Sequence, residues 1–263
     1  MNVLNEIFAH KQTEVEARLA EVPMAELEAQ VSGLEPTRGF KRALANDPRP
    51  IALIAEVKKA SPSEGVIRAD FDPAGIARAY EEAGATCLSV LTDERYFQGS
   101  AKNLAICREN CDLPLLRKDF IYNPYQVVEA RVLGADALLL IAAMLNDDQL
   151  KSLSETAAEL NLDVLVEVHN QEELDRVLNI NGLDLIGVNN RDLSDFTVDL
   201  GTSERLIPQY REGRVAVAES AIHTHADVQR LQACGARAVL IGTSFMRSSD
   251  VGGKVREVMG WDR

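Results

Sequence analysis

Four short segments of the chain share one pattern: EAGATCLSV, VLGADALLL, INGLDLIGV and ACGARAVLI. Each sets a glycine (Gly84, Gly134, Gly182, Gly235) between a helix-like stretch and a strand-like run. Glycine in this place suits the left-handed turn that ends a helix. The four glycines are 50, 48 and 53 residues apart. One further strand-like run lies within each interval, so each period holds two strand–helix units of about 25 residues.

Strands are expected at 51–57, 86–92, 113–119, 135–143, 163–168, 185–189, 215–220 and 238–242. They are rich in Val, Ile and Leu, as strands covered on both faces should be. Helices between them begin with clear signals. Asp72-Pro73 and Asn123-Pro124 each give a cap followed by proline at the first helical position. Asn170 with Glu173, and Thr224 with Asp227, have capping-box spacing. Eight such units fill residues 51–250. The fold class is therefore α/β, and the expected architecture is a single (β/α)8 TIM barrel spanning 1–263. The rival is an open doubly wound sheet, which carries a G-x-G-x-x-G turn after its first strand. Here that turn reads KKASPSEG. Residues 1–47 read as one or two amphipathic helices and then the turn ANDPRP. With no low-complexity linker, they are expected to pack on the barrel as an N-terminal helical extension.

The net charge of −13 argues against non-specific binding to nucleic acid or anionic membranes. It leaves room for an anionic small molecule in a locally basic pocket. No apolar run approaches the roughly 20 residues that span a bilayer. The N-terminus lacks the basic start and apolar middle of a signal peptide. Cys87, Cys107, Cys111 and Cys234 match no disulfide framework, which suits cytosolic thiols and a cytoplasmic location. Cys107 and Cys111 are one helical turn apart but have no His or third Cys nearby, so no metal is expected there.

In a barrel of this type chemistry belongs at the C-terminal ends of the strands. The first strand ends in Glu56 and Lys58, two residues apart and so on one face. The third ends in Lys118-Asp119, the fifth in Glu167, the sixth in Asn189-Asn190-Arg191 and the seventh in Glu219-Ser220. The second and fourth end in milder residues. A single charged strand end is ordinary, because strand ends meet solvent. Five strands sending Glu, Lys or Asn to one rim can supply a general acid and a general base whose pKa values are set by each other. The loops after the seventh and eighth strands (AESAI, LIGTSFMR) suit a phosphate, with small residues that let the backbone approach. Phe97 and Phe120, after the second and third strands, either pack in the barrel or flank an aromatic substrate, and the residues alone leave both open. The HTH at 223–225 is read as a helix start capped by Thr224 rather than a metal pair. His169 is placed on the opposite strand parity from Glu167, as a surface or second-layer histidine.

Taken together, IAEVKKASPSEG, LSVLTDERYFQGS, LPLLRKDFIYNPYQ, GADALLLI, LVEVHNQEEL, IGVNNRDL, AESAI and LIGTSFMR resemble the indole-3-glycerol phosphate synthases of tryptophan biosynthesis. The segments fall in that family's order over nearly the whole chain, and RKDFI with VNNRDL and KKASPS is the specific combination. The resemblance implies a carboxy-lyase that closes the ring of 1-(2-carboxyphenylamino)-1-deoxyribulose 5-phosphate, releasing carbon dioxide and water. No cofactor and no metal is implied. The expected partner is this phosphorylated aromatic small molecule, and the expected assembly a monomer or weak homodimer.

The resemblance also implies roles. Lys118 would be the general acid; Glu56 and Glu167 would be catalytic carboxylates, with Glu167 the base of the dehydration. Lys58 would steer the substrate carboxylate, with Arg191 near it, and would share the acid role in the later step, and Asn189 would hold a hydroxyl. Glu219 and Ser220 match the family's pair on the seventh strand. Ser61, Gly242 and Thr243 would hold the phosphate, and Phe97 and Phe120 would wall the aromatic ring. One position departs: where the family has glycine after the serine of the seventh strand, this chain has Ala221. Its methyl would crowd the phosphate loop, with strain if the backbone needs positive φ. The isomerase-type phosphate barrel of the same pathway fits less well, because it wants a thiol at the end of the first strand and no cysteine falls there.

Overall fold

In the computed structural model, which describes residues 3–192, 197–210 and 213–261, the eight expected runs form parallel strands. They are β1 (Ala52–Val57), β2 (Cys87–Leu91), β3 (Leu115–Lys118), β4 (Ala137–Ile141), β5 (Asp163–Val168), β6 (Leu185–Asn189), β7 (Val215–Glu219) and β8 (Ala238–Ile241). Each pairs with its sequence neighbours, and β1 closes the circle by pairing with both β2 and β8.

Alternation along each strand divides the side chains between two layers. Ala52 and Ile54 of β1 point into the barrel, where they join Leu116, Leu139 and Leu165. Leu53, Ala55 and Val57 point outward and pack under helix Pro73–Glu82 against Ile76 and Tyr80. Continuing the inward parity brings Glu56 and Lys58 to the barrel mouth. A two-residue hairpin, Ala60–Ser61 against Gly65–Val66, follows them there.

The four repeat glycines all have φ between +86° and +100°, the region in which a side chain is strained. Asp72 and Asn123 cap their helices as their sequences indicate, and Thr224 and Asp227 form a complete capping box.

The N-terminal extension contains a helix more than its sequence suggested: Val3–Glu21, Met24–Val31 and Phe40–Asn46. The last was hidden because it has only seven residues. It buries Phe40 and Leu44, one turn apart, in the inward-facing cluster with Cys87 and Ala52. Burying each such side chain contributes about 2 kcal/mol. The extension thus reaches the N-terminal end of the barrel with Phe40, while its first helix lies at the opposite end, where Leu4 and Ile7 border the mouth. Among the described residues, no helix is long and apolar enough to cross a membrane.

Candidate active site

A cavity of about 410 Å³ opens at the C-terminal ends of the strands. Its centre is Lys118, whose ammonium is approached from three strands. Nζ donates to Oε2 of Glu219 at 2.7 Å and lies 3.6 Å from Glu167 and 3.9 Å from Glu56. Lys58 Nζ lies 2.5 Å from the other oxygen of Glu56. Two lysines are thus interleaved with three glutamates that are all nearly inaccessible to water.

These distances set the protonation states. Burial works against the charge on Lys118, but Glu219, Glu167 and Glu56 outweigh it and hold the ammonium well above its ordinary value. Burial also works against an ionised Glu56, yet Lys58 and then Lys118 keep its carboxyl low. Glu219 behaves differently. Burial, reinforced by the charges of Glu167 and Glu56, raises it to about 7 against the pull of Lys118. Its Oε1 is buried with no hydrogen-bond partner among the described residues. Room for that oxygen comes from Gly187 on the neighbouring β6, where any Cβ would collide with it.

Most of the sequence-predicted residues line this cavity, with one exception. Glu56, Lys58, Lys118, Glu167, Asn189 and Ser220 border it. Glu219 does not; it lies behind Lys118 and reaches the cavity only through that ammonium. The aromatic pair is present, with Phe97 and Phe120 rings 6.0 Å apart and inclined by 41°. Arg191 borders the cavity at the loop after β6, where its amide is held by Oδ1 of Asn189. Asn190 turns away and braces that loop, donating to the carbonyl of Glu219 and accepting from Ser203.

On another wall lie Ser61, Ala221, Gly242 and Thr243. Gly242 has no alternative residue, because a Cβ there would run into Glu56. Ser220 and Ala221 both sit in the left-handed region, at φ +68° and +60°. The strain expected at Ala221 is therefore present, at roughly 1–2 kcal/mol for a residue with a side chain. The HTH histidines diverge: His223 meets Ser244 and His225 meets the carbonyl of Val258.

The structure places His169 behind Glu167, as a second-layer histidine, but corrects its parity. Two residues from Glu167, it has the same parity, not the opposite one. Its Nε2 lies 3.1 Å from Oε1 of Glu167, and the ring is nearly buried. Glu173 also departs from expectation. Asn170 caps the helix Gln171–Leu178, but the Glu173 carboxylate does not complete the box. It accepts from the amide of His169 instead, 2.8 Å away, and lies 3.1 Å from the ring Nδ1.

Sequence reasoning also missed how the first helix is fixed. Lys11 is buried, with Asp119 at 2.8 Å, Asp93 at 2.9 Å and Glu14 at 3.0 Å. Asp119 continues to Arg117, Arg117 to Glu129, Glu129 to Arg18 and Arg18 back to Glu14, which closes a ring of ion pairs. The spacing of Lys11, Glu14 and Arg18 on one helix face was the available signal.

A closed parallel barrel with a buried acid–base cluster at its C-terminal mouth defines a (β/α)8-barrel enzyme of the proton-transfer type. Fold likeness places it broadly. It matches a mandelate oxidase with a TM-score of 0.60 at 15% identity, covering 80% of this chain and 72% of that one. It matches the tryptophan synthase alpha-subunit of Pyrococcus furiosus with a TM-score of 0.59 at 14% identity, covering 80% and 98%. Sequence places it narrowly: the chain belongs to the indole-3-glycerol phosphate synthase family, whose model matches residues 4–258. An indole-3-glycerol phosphate synthase of Acinetobacter baylyi is 51% identical over 245 residues, which are 93% of this chain and 91% of that protein.

Proposed function

We propose that this chain converts 1-(2-carboxyphenylamino)-1-deoxyribulose 5-phosphate to indole-3-glycerol phosphate at the Lys118 cluster. The observation that carries the reading is one ammonium held within 4 Å of glutamates from three strands at the mouth of the cavity. The substrate presents a phosphate, a carboxylate on an aromatic ring and a ketone, and the cavity has a wall suited to each.

The corner of Ser61, Ser220, Gly242 and Thr243 takes the phosphate, with Ala221 in the same loop. Phe97 and Phe120 wall the ring. Lys58 and Arg191 steer the carboxylate, and Asn189 holds a hydroxyl. Lys118 donates its proton to the ketone oxygen as the ring carbon attacks. Departure of carbon dioxide then restores the aromatic ring.

In the dehydration Lys58 gives a proton to the departing hydroxyl, which leaves as water, and Glu167 accepts the proton lost from the substrate. With Lys118 charged, Glu167 is a weak base, held down to about 2: burial is outweighed by the contact with His169 and the charge of Lys118. Once Lys118 has given up its proton, the ammonium 3.6 Å away is gone and Glu167 becomes more basic. Acid and base are thereby coupled in sequence. Glu56 orders Lys58. Glu219 holds Lys118 from behind. The reading needs no cofactor, and the free thiols of Cys87, Cys107, Cys111 and Cys234 suit a cytoplasmic enzyme.

The test is a fluorescence assay for indole formation with purified protein, the carboxyphenylamino-deoxyribulose phosphate and a chelator. The expected result is indole fluorescence growing at a catalytic rate. A folded protein that binds inorganic phosphate but forms no indole overturns the reading.

A further inference from the structure

His169 is a nearly buried titratable group for which the mechanism above has no use, and it is not among the residues that border the cavity. Glu173 holds it by hydrogen bonds, while Glu167 faces Nε2 as an ion-pair partner, with no hydrogen bond to that buried nitrogen among the described residues. Glu167, two residues earlier at the end of β5, lies 3.1 Å from Nε2. From the following helix, one oxygen of Glu173 meets both the backbone amide and Nδ1 of His169, at 2.8 and 3.1 Å. The other oxygen accepts from Nδ2 of Asn170 at 2.7 Å. Glu173 is thus fully engaged, and the ring has little freedom to turn.

Beyond Glu167 the surrounding groups are also accounted for. Its second oxygen is approached by Lys118 from β3. Asn189 of β6 donates to the carboxylate, and Glu56 of β1 lies close enough to feel its charge. Glu219 of β7 completes the surroundings and feels the same charge. Among the described residues, His169 is the cation seen to contact Glu167 from outside the reacting space. Lys118 changes its charge during the reaction, whereas His169, with a carboxylate on each side, retains its own.

We propose that His169, clamped by Glu173, is a positioning residue that keeps the Glu167 carboxylate ionised and aimed into the cavity throughout the cycle. The inference rests on the reading of Glu167 as the base of the dehydration. Two carboxylates on one imidazole hold its proton tightly. Burial works against the imidazolium, but Glu167 and Glu173 raise the ring to about 10.

The test compares the wild type with His169→Ala, His169→Gln and Glu173→Gln in the full-length enzyme. His169→Ala is expected to lower kcat roughly 10- to 100-fold, the range for misplacing a reacting group. KM should stay within about twofold, since the ring does not border the cavity. The decisive readout is the acid limb of kcat against pH. Without the imidazolium Glu167 binds its proton more tightly, so the limb must move to higher pH in His169→Ala and His169→Gln. Glu173→Gln should move it the same way by less. The imidazole nitrogen shifts of His169, followed by NMR, should show a ring still protonated above pH 8 in the wild type and one that titrates lower in Glu173→Gln. That titration decides the matter even where a His169 variant does not fold. Wild-type turnover with an unmoved acid limb in a folded His169 variant, or a wild-type ring neutral at pH 8, overturns the proposal. A wild type that forms no indole overturns the function instead.

Discussion

The Nζ of Lys11 lies 2.8 Å from Oδ1 of Asp119, so the N-terminal helix is bolted to the residue next to Lys118. Asp119 also accepts from the amide of Phe120, and Asp93, the second partner of Lys11, accepts from the amide of Phe97. One buried ammonium therefore ties together both aromatic walls and the helix that brings Leu4 and Ile7 to the mouth. Lys11→Met should destabilise the protein by about 3 kcal/mol or more, because it leaves the buried carboxylate of Asp93 without its cation and that of Asp119 with Arg117 alone. Urea unfolding measures that loss. In steady-state kinetics KM should rise more than kcat falls, since the walls move and the acid does not.

Lys118→Met removes the proposed acid. Turnover should fall at least 100-fold, the lower range for general acid catalysis. Binding of indole-3-glycerol phosphate, read by its own fluorescence, should persist, because the phosphate corner and the aromatic walls are untouched. Unchanged turnover would refute the role.

Glu219 sets a pH dependence of stability. Its pKa is raised to about 7 in the folded protein from an ordinary 4.5. Between those values the folded state binds more protons than the unfolded state, so this group makes stability fall as pH rises through the window. In Glu219→Gln that decline should be smaller. Urea midpoints at pH 5 and pH 8 for both proteins measure it, and equal declines would show that Glu219 ionises normally.

At Ala221 the backbone is held at φ +60°. Ala221→Gly removes the strain at the expense of a freer unfolded chain, and a net gain of up to about 1 kcal/mol is expected. Thermal unfolding reads the gain. Affinity for inorganic phosphate should stay equal or improve as the methyl is removed.

Gly187 has the opposite sensitivity. A methyl there meets Oε1 of Glu219. Gly187→Ala should cost about 1–3 kcal/mol, as overpacking does, and should lower kcat by pushing Glu219 off Lys118. An unaltered kcat would show that Glu219 need not hold Lys118 at 2.7 Å.

Much of the site was legible because strand parity is a local property. Once Glu56 was placed on a strand, Lys58 had to share its face, and the ends of the strands converge wherever the barrel closes. Roles for the aromatic pair and the Gly242–Thr243 turn came instead from the family resemblance. His169 was given a parity that the spacing itself contradicts. Glu173 was read as half of a cap because its spacing fits one; only the position of the ring shows that its carboxylate is engaged elsewhere. The helix Phe40–Asn46 is too short to show a period.

The sequence by itself determined the barrel and the inward set. A two-unit period marked by glycines leaves few ways to close a sheet, and side-chain alternation does not depend on what lies across the barrel. Only the tertiary structure decided which of those inward groups touch. Lys11 reaches Asp119 across more than a hundred residues, Glu219 stands behind Lys118 and off the cavity wall, and Glu56 and Glu219 fit because Gly242 and Gly187 have no side chains. Ion pairing and pKa depend on distances of a few ångströms and on exclusion of water, and both arise only when distant segments close around one another.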